Sequence, residues 1–171
     1  NFMFELENKY RQVNYSKKTI SYAQNLYFFI KELYSNDKDR WLEYYSRCLI
    51  NLAHLYSKTN RATDAIKLQE EALDILKEAY LKDEDRWLGY YSTSLNNLAN
   101  SYYETDRTDE AIKLQEEAKK ITEEAYFKNK DRWLEYYSTS LNNLYLLYSN
   151  NGRTAEAKSL LEKLQKIQNN N

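Results

Sequence analysis

Proline is missing altogether, and glycine occurs only at Gly89 and Gly152. Sheets rely on both residues for tight turns, so their scarcity points to an almost wholly helical chain. Cys48 is the single cysteine and His54 the single histidine. That excludes an internal disulfide and leaves no cysteine–histidine set for zinc, so no metal and no cofactor is expected. No glycine-rich phosphate loop occurs. Long apolar runs are lacking too: the richest, LYFFI from Leu26 to Ile30, lies between Asn25 and Lys31, far short of the ~18 residues of a membrane span. A net charge of −1 and a pI near 6.0 give no bulk field to draw nucleic acid or an anionic membrane, so neither is an expected partner. The opening stretch has no leader pattern, which makes a cytoplasmic chain the expectation. A start at Asn1 rather than methionine reads as a processed or excised piece.

What the chain has in abundance is repetition. DRWLEYYS spans Asp39 to Ser46, returns as DRWLGYYS from Asp85 to Ser92, and returns again from Asp131 to Ser138, so that 85 − 39 and 131 − 85 are both 46. SLNNLA (94–99) matches SLNNLY (140–145) and, more loosely, CLINLA (48–53). AIKLQEEA (65–72) recurs letter for letter at 111–118. A period of this size marks stacked repeats, each covering its neighbour's apolar face. One domain over 1–171 is expected, with units at about 1–38 (partial), 39–84, 85–130 and 131–171.

Two helical segments alternate within each period. Stepping 100° per residue from Trp87 places Trp87, Tyr91, Ser94, Leu95, Leu98, Ala99 and Tyr102 on one stripe, the expected core face. Asp85 is placed to cap this helix and Thr108 the next, with Thr63 and Thr154 in the matching position. The pattern predicts helices near 39–57, 63–81, 85–103, 109–127, 131–149 and 154–168. Thr19 to Tyr34 sits one period before the helix that opens with AIKLQEEA, and Leu6 and Tyr10 one period before Leu52 and Tyr56. Eight helices in four hairpins follow.

The two ends differ. The last helix has Ala157, Leu160, Leu161, Leu164 and Ile167 on one face and charged residues on the other, as suits a closing cap. The helix near 19–34 is apolar nearly all round, through Ile20, Tyr22, Leu26, Tyr27, Phe28, Phe29, Ile30 and Leu33, and such a helix wants cover on both sides. Either the array continues before Asn1 in a longer protein, or the chain self-associates there as a homo-oligomer.

The order L-x-x-L-A-x-x-Y, a turn, then an alanine with a second small residue seven further on resembles the tetratricopeptide repeat. The third unit carries it as Leu95, Leu98, Ala99, Tyr102, Ala111 and Ala118, the second as Leu49, Leu52, Ala53, Tyr56, Ala65 and Ala72. The long second helix after SLNNLA is most similar to the elongated repeats of kinesin light chains and related bacterial arrays. The resemblance implies an all-α fold, a right-handed αα superhelix of about four hairpins. Where the family has a turn glycine, this chain has Asn60, Asp106 and Gly152, and Asn and Asp can take the left-handed conformation such a turn needs. In the last unit the small positions become Tyr145 and Leu164, which should splay or end the stack.

A second stripe on the first helix of each unit lies about 120–150° from the core stripe. It reads Arg40, Tyr44, Arg47, Asn51, His54; then Arg86, Tyr90, Thr93, Asn97, Asn100; then Arg132, Tyr136, Thr139, Asn143, Leu146. The resemblance implies that first helices line a concave groove and that Asn51, Asn97 and Asn143 hydrogen-bond the backbone of a bound peptide. An amide offers both donor and acceptor, so a ladder of them can hold an extended chain without reading its side chains. The tyrosines offer apolar contact with a polar tip, although packing between repeats would also explain them. Arginines on the stripe, such as Arg47, favour an acidic partner, whereas Arg40, Arg86 and Arg132, each following an aspartate near acidic linkers, read as local ion pairs instead. Asn96 and Asn142 point to the groove rim.

Enzyme chemistry finds little support. Cys48 and His54 lie about 120° apart on one helix and cannot form a nucleophile–base pair. Glu70–Glu71 and Glu116–Glu117 read as solvated faces, and Cys48 as a small buried filler. Two roles remain: a non-catalytic scaffold binding a peptide or protein, or a structural spacer of a larger bacterial regulatory protein, self-associating through its N-terminal end.

Overall fold

The computed structural model describes residues 17–169, and among these every element is an α-helix. The seven are α1 (Lys17–Asn36), α2 (Lys38–Ser57), α3 (Ala62–Lys82), α4 (Glu84–Tyr103), α5 (Thr108–Lys128), α6 (Lys130–Asn150) and α7 (Thr154–Asn169). The six helices predicted from residue 39 onward all occur, with ends within two residues of the pattern. The eighth, placed around Leu6 and Tyr10, lies outside the described residues. No helix is long and apolar enough to cross a membrane among the described residues.

The start signals sit elsewhere than expected. Asp37 and Asp83 cap α2 and α4, each in an extended single-residue junction, with a carboxylate oxygen accepting the Arg40 or Arg86 amide at 3.2 and 3.1 Å. Asn129 does the same for α6 through the Arg132 amide at 3.2 Å. Asp39, Asp85 and Asp131 therefore stand inside the first turn, where their charge favours the helix dipole without capping. Thr108 and Thr154 open their helices and Thr63 is the second residue of α3, so none is a cap. Before α5 that place belongs to Arg107, whose side chain caps nothing and instead reaches forward to Glu110.

The turns inside the hairpins follow the expected chemistry. Asn60, Asp106 and Gly152 adopt φ of 56°, 62° and 73°, so the left-handed position falls where the pattern placed it. A cationic staple closes each turn. Arg61, Arg107 and Arg153 lie 3.8, 3.7 and 3.9 Å from the ring centroids of Tyr56, Tyr102 and Tyr148 while pairing with Asp64, Glu110 and Glu156.

The chain forms two compact units, residues 1–75 and 76–171. In the first, α1 packs on α2, and Tyr27, Ile30, Tyr45, Leu49, Leu52 and Tyr56 form a core with Ala53, Ala65 and Ala72. In the second, α4 packs on α5, α5 on α6, α6 on α7, and α4 also touches α6. Ala99, Ala111 and Ala118 are fully buried, as are Ala53, Ala65 and Ala72 in the first unit, so the small residues stand where they let helices approach. All seven residues of the Trp87 stripe are buried. Trp133 is buried as well, but Trp41 is only half-buried. On α7, Ala157 and Leu160 are buried while Leu161 is exposed, so the closing face is narrower than its pattern implied.

Candidate functional site

Two polar rows run along the helices. On the first helices, α4 and α6 set the repeated stripe side by side in the second unit. Tyr90 is half-buried and Tyr136 exposed; Thr93, Asn100, Thr139, Asn142 and Leu146 are exposed; Asn97 and Asn143 are half-buried. Neither Asn97 nor Asn143 makes a side-chain hydrogen bond among the described residues. Asn96 differs: its Oδ1 is covered and without a partner among the described residues, so its amide turns partly into the protein. In the first unit, α2 carries the corresponding row. Tyr44, Asn51 and His54 are exposed, and Arg47 is half-buried with Glu43 3.8 Å away.

The aromatic members of this row are held in place. Tyr44, Tyr90 and Tyr136 lean on the tryptophan one turn earlier, with centroids 5.5, 5.6 and 5.6 Å apart. Arg40, Arg86 and Arg132 lie over those same indoles at 5.5, 4.8 and 4.5 Å, and Arg132 also donates to the Asp85 carbonyl at 2.7 Å. Gly89 shows why a glycine stands inside α4. A Cβ there would meet the Tyr136 hydroxyl at 2.9 Å and its ring at 3.1 Å. The absent side chain, at some cost in helix propensity, lets the α6 tyrosine rest on the α4 backbone. Tyr136 thus packs between repeats while keeping an exposed edge.

The second row lies on the second helices, and the sequence reading missed it. Glu71 and Glu117 do not face solvent alone: they accept the Tyr45 and Tyr91 hydroxyls at 2.5 Å and face Lys31 and Lys77 at 3.7 and 3.6 Å. Glu116 accepts the Tyr148 hydroxyl, also at 2.5 Å. In the last repeat the charges exchange places. Glu123 takes Lys163 at 3.0 Å, the Tyr137 hydroxyl at 2.6 Å and Lys119. Burial would raise the Glu123 carboxyl, but the hydrogen bonds from Lys119, Tyr137 and Lys163 prevail and hold it at about 2. Burial and Glu116 push the Tyr148 phenol up to about 12. A signal for this row was present in the spacing, because 71 − 31, 117 − 77 and 163 − 123 are all 40.

Nucleophiles and metal ligands add nothing to either row. Cys48 is buried and desolvation pushes its thiol up to about 11, which disfavours the reactive thiolate. Among the described residues no three His, Cys, Asp or Glu side chains gather as a metal set.

Comparison with known proteins agrees with this architecture. Tetratricopeptide repeat profiles match residues 46–83, 92–126 and 138–171, more than half of the chain, with starts spaced by the period of 46. No curated protein matches in sequence. Among solved structures, BtubC (BKLC) from P. vanneervenii superposes with a TM-score of 0.67 at 21% identity, over 86% of this chain and 55% of that one. The chain thus spans about half the length of that relative, and the likeness is one of fold. A putative kinesin light chain repeat protein from Podosopora anserina is more distant, with a TM-score of 0.38 at 17% identity over 87% of this chain and 96% of that one. Repeats of this kind mediate protein–protein interaction. The chain is all-α and belongs to the tetratricopeptide repeat family.

Proposed function

We propose that the chain is a non-catalytic scaffold that binds an extended peptide or a protein segment along the row of its first helices. In the second unit Asn97 and Asn143 hold the main chain of the bound segment, flanked by Tyr90 and Tyr136, with Thr93, Asn100 and Thr139 beside them. The observation that supports this reading most is that these two half-buried amides have no partner among the described residues, while Tyr91 and Tyr137 of the same first helices are paired with carboxylates of α5. An amide left open beside an apolar ring suits a backbone: the ring excludes water, and the amide donates and accepts once each. In the first unit Arg40 and Arg47 flank Tyr44 on the corresponding row, which favours an acidic segment there. The cytoplasm is the compartment this role assumes.

The test is a peptide library presented to the immobilised chain and to Asn97→Ala/Asn143→Ala. The double variant loses capture by roughly tenfold or more while its melting midpoint stays with the parent. A variant that captures equally well removes these residues from the site. One that melts early makes them structural.

A second reading concerns the other end of the chain. Tyr22, Phe28 and Phe29 of α1 remain 56, 64 and 59% exposed, an apolar face that a second copy could cover. Sedimentation over a hundredfold concentration range decides it: mass rising with concentration supports self-association, and a constant monomer removes it.

A further inference from the structure

We infer that the reversed ion pair Glu123–Lys163 fixes the order in which the hairpins stack. Lys31–Glu71, Lys77–Glu117 and Glu123–Lys163 occupy one register, each joining a second helix to the second helix of the following hairpin. The first two pairs place lysine before glutamate, and the third places glutamate before lysine. Helix α5 carries both kinds of position, with Glu117 toward Lys77 of α3 and Glu123 toward Lys163 of α7.

The opening turns of the hairpins do not supply this order, although further on Ala99 and Ala118 give way to Tyr145 and Leu164. Hairpins α4–α5 and α6–α7 begin with DRWLGYYSTSLNNL and DRWLEYYSTSLNNL, alike at every position but one. Suppose α4–α5 of another copy docked where α6–α7 belongs. Its Glu117 would then stand against Glu123. If α6–α7 took the place of α4–α5, Lys163 would stand against Lys77. Each error exchanges an attraction for a repulsion, which is how related surfaces reject wrong partners.

Two observations give the reversal weight beyond an exposed ion pair. The Glu123 side chain is more enclosed than Glu71 or Glu117, and it accepts from three donors. The tyrosine also follows the carboxylate. Tyr45 and Tyr91 donate to the second helix of their own hairpin, whereas Tyr137 turns back to the preceding one. The hydroxyl therefore tracks which helix carries the acid.

The experiment uses the whole chain. Glu123→Lys with Lys163→Glu makes all three pairs lysine-first. Lys119→Leu removes the cation that pairs with Glu123 and would repel the new lysine, leucine being the residue at that register in α3 (Leu73). This triple variant should melt within roughly 4 °C of the parent. After refolding at high concentration it should give at least roughly threefold more exchanged oligomer by light scattering, because the order is no longer specified. Lys163→Glu alone should lower the melting midpoint by roughly 2–6 °C. A triple variant that refolds with the parent's share of oligomer overturns the ordering role, and so does one that cannot fold, since an opposite pair has been restored. A Lys163→Glu chain that melts with the parent overturns the pairing itself.

Discussion

On the second helix α5, Glu117 accepts the Tyr91 hydroxyl from α4 and faces Lys77 of α3, so the carboxylate of that row answers two partners. On the first helices Asn97 and Asn143 answer nothing among the described residues, although the same duplication produced both rows. Burial alone does not separate them, because residues of both rows are half-exposed. What separates them is whether a partner stands within reach on the neighbouring helix. The paired carboxylates stabilise the fold, and the proposed function rests on the two amides of Asn97 and Asn143 being left for a bound segment.

The sharpest way to sharpen this contrast begins beneath both rows. Leu95→Ala removes a fully buried side chain from the core on which the α4 row sits, and should cost about 2–5 kcal/mol in denaturant unfolding. Next comes the closed row. Glu123→Gln should cost about 1–2 kcal/mol at neutral pH, and its pH profile carries the sign. The folded carboxyl sits below its unfolded value of 4.5, so its stabilisation is present above that pH and is lost as pH falls toward about 2. Titrating the melting midpoint across this window should show a slope in the parent that flattens in the variant.

Gln115 offers a third state, polar and buried with neither amide atom partnered among the described residues, and 0% exposed. Gln115→Met should raise stability by about 1 kcal/mol in the same unfolding assay, since it removes a desolvated amide at nearly constant volume. The open row should matter least for stability. Asn97→Ala and Asn143→Ala should each change it by less than about 0.5 kcal/mol by thermal melting. An effect as large as that of Glu123→Gln would erase the distinction between the rows.

Most of the fold was legible because the repeat states each rule three times over. Alanines at the crossings, Leu and Tyr in the seams and Asn60, Asp106 and Gly152 at the turns all stand where the period puts them. The caps were misplaced by two residues because Asp37, Asp83 and Asn129 serve as entire junctions, and an aspartate two residues further on offers an equally plausible cap. The glutamate pairs were misread for a different reason. A helical wheel shows only one helix, and Glu117 is defined by Lys77 and Tyr91 on two others. Gly89 could not be understood from α4 alone either, because its cause is Tyr136 of α6. The row of first-helix asparagines was visible as a stripe, yet only the structure shows that Asn97 and Asn143 make no side-chain hydrogen bond among the described residues.

If those amides hold a main chain, the bound segment should depend on its own peptide groups more than on its side chains. Scanning a captured peptide with N-methyl and with alanine substitutions tests this directly. N-methylation at the positions facing Asn97 and Asn143 should weaken binding roughly tenfold or more, with most alanine substitutions mild. Binding that survives N-methylation throughout and collapses on alanine substitution would contradict the account.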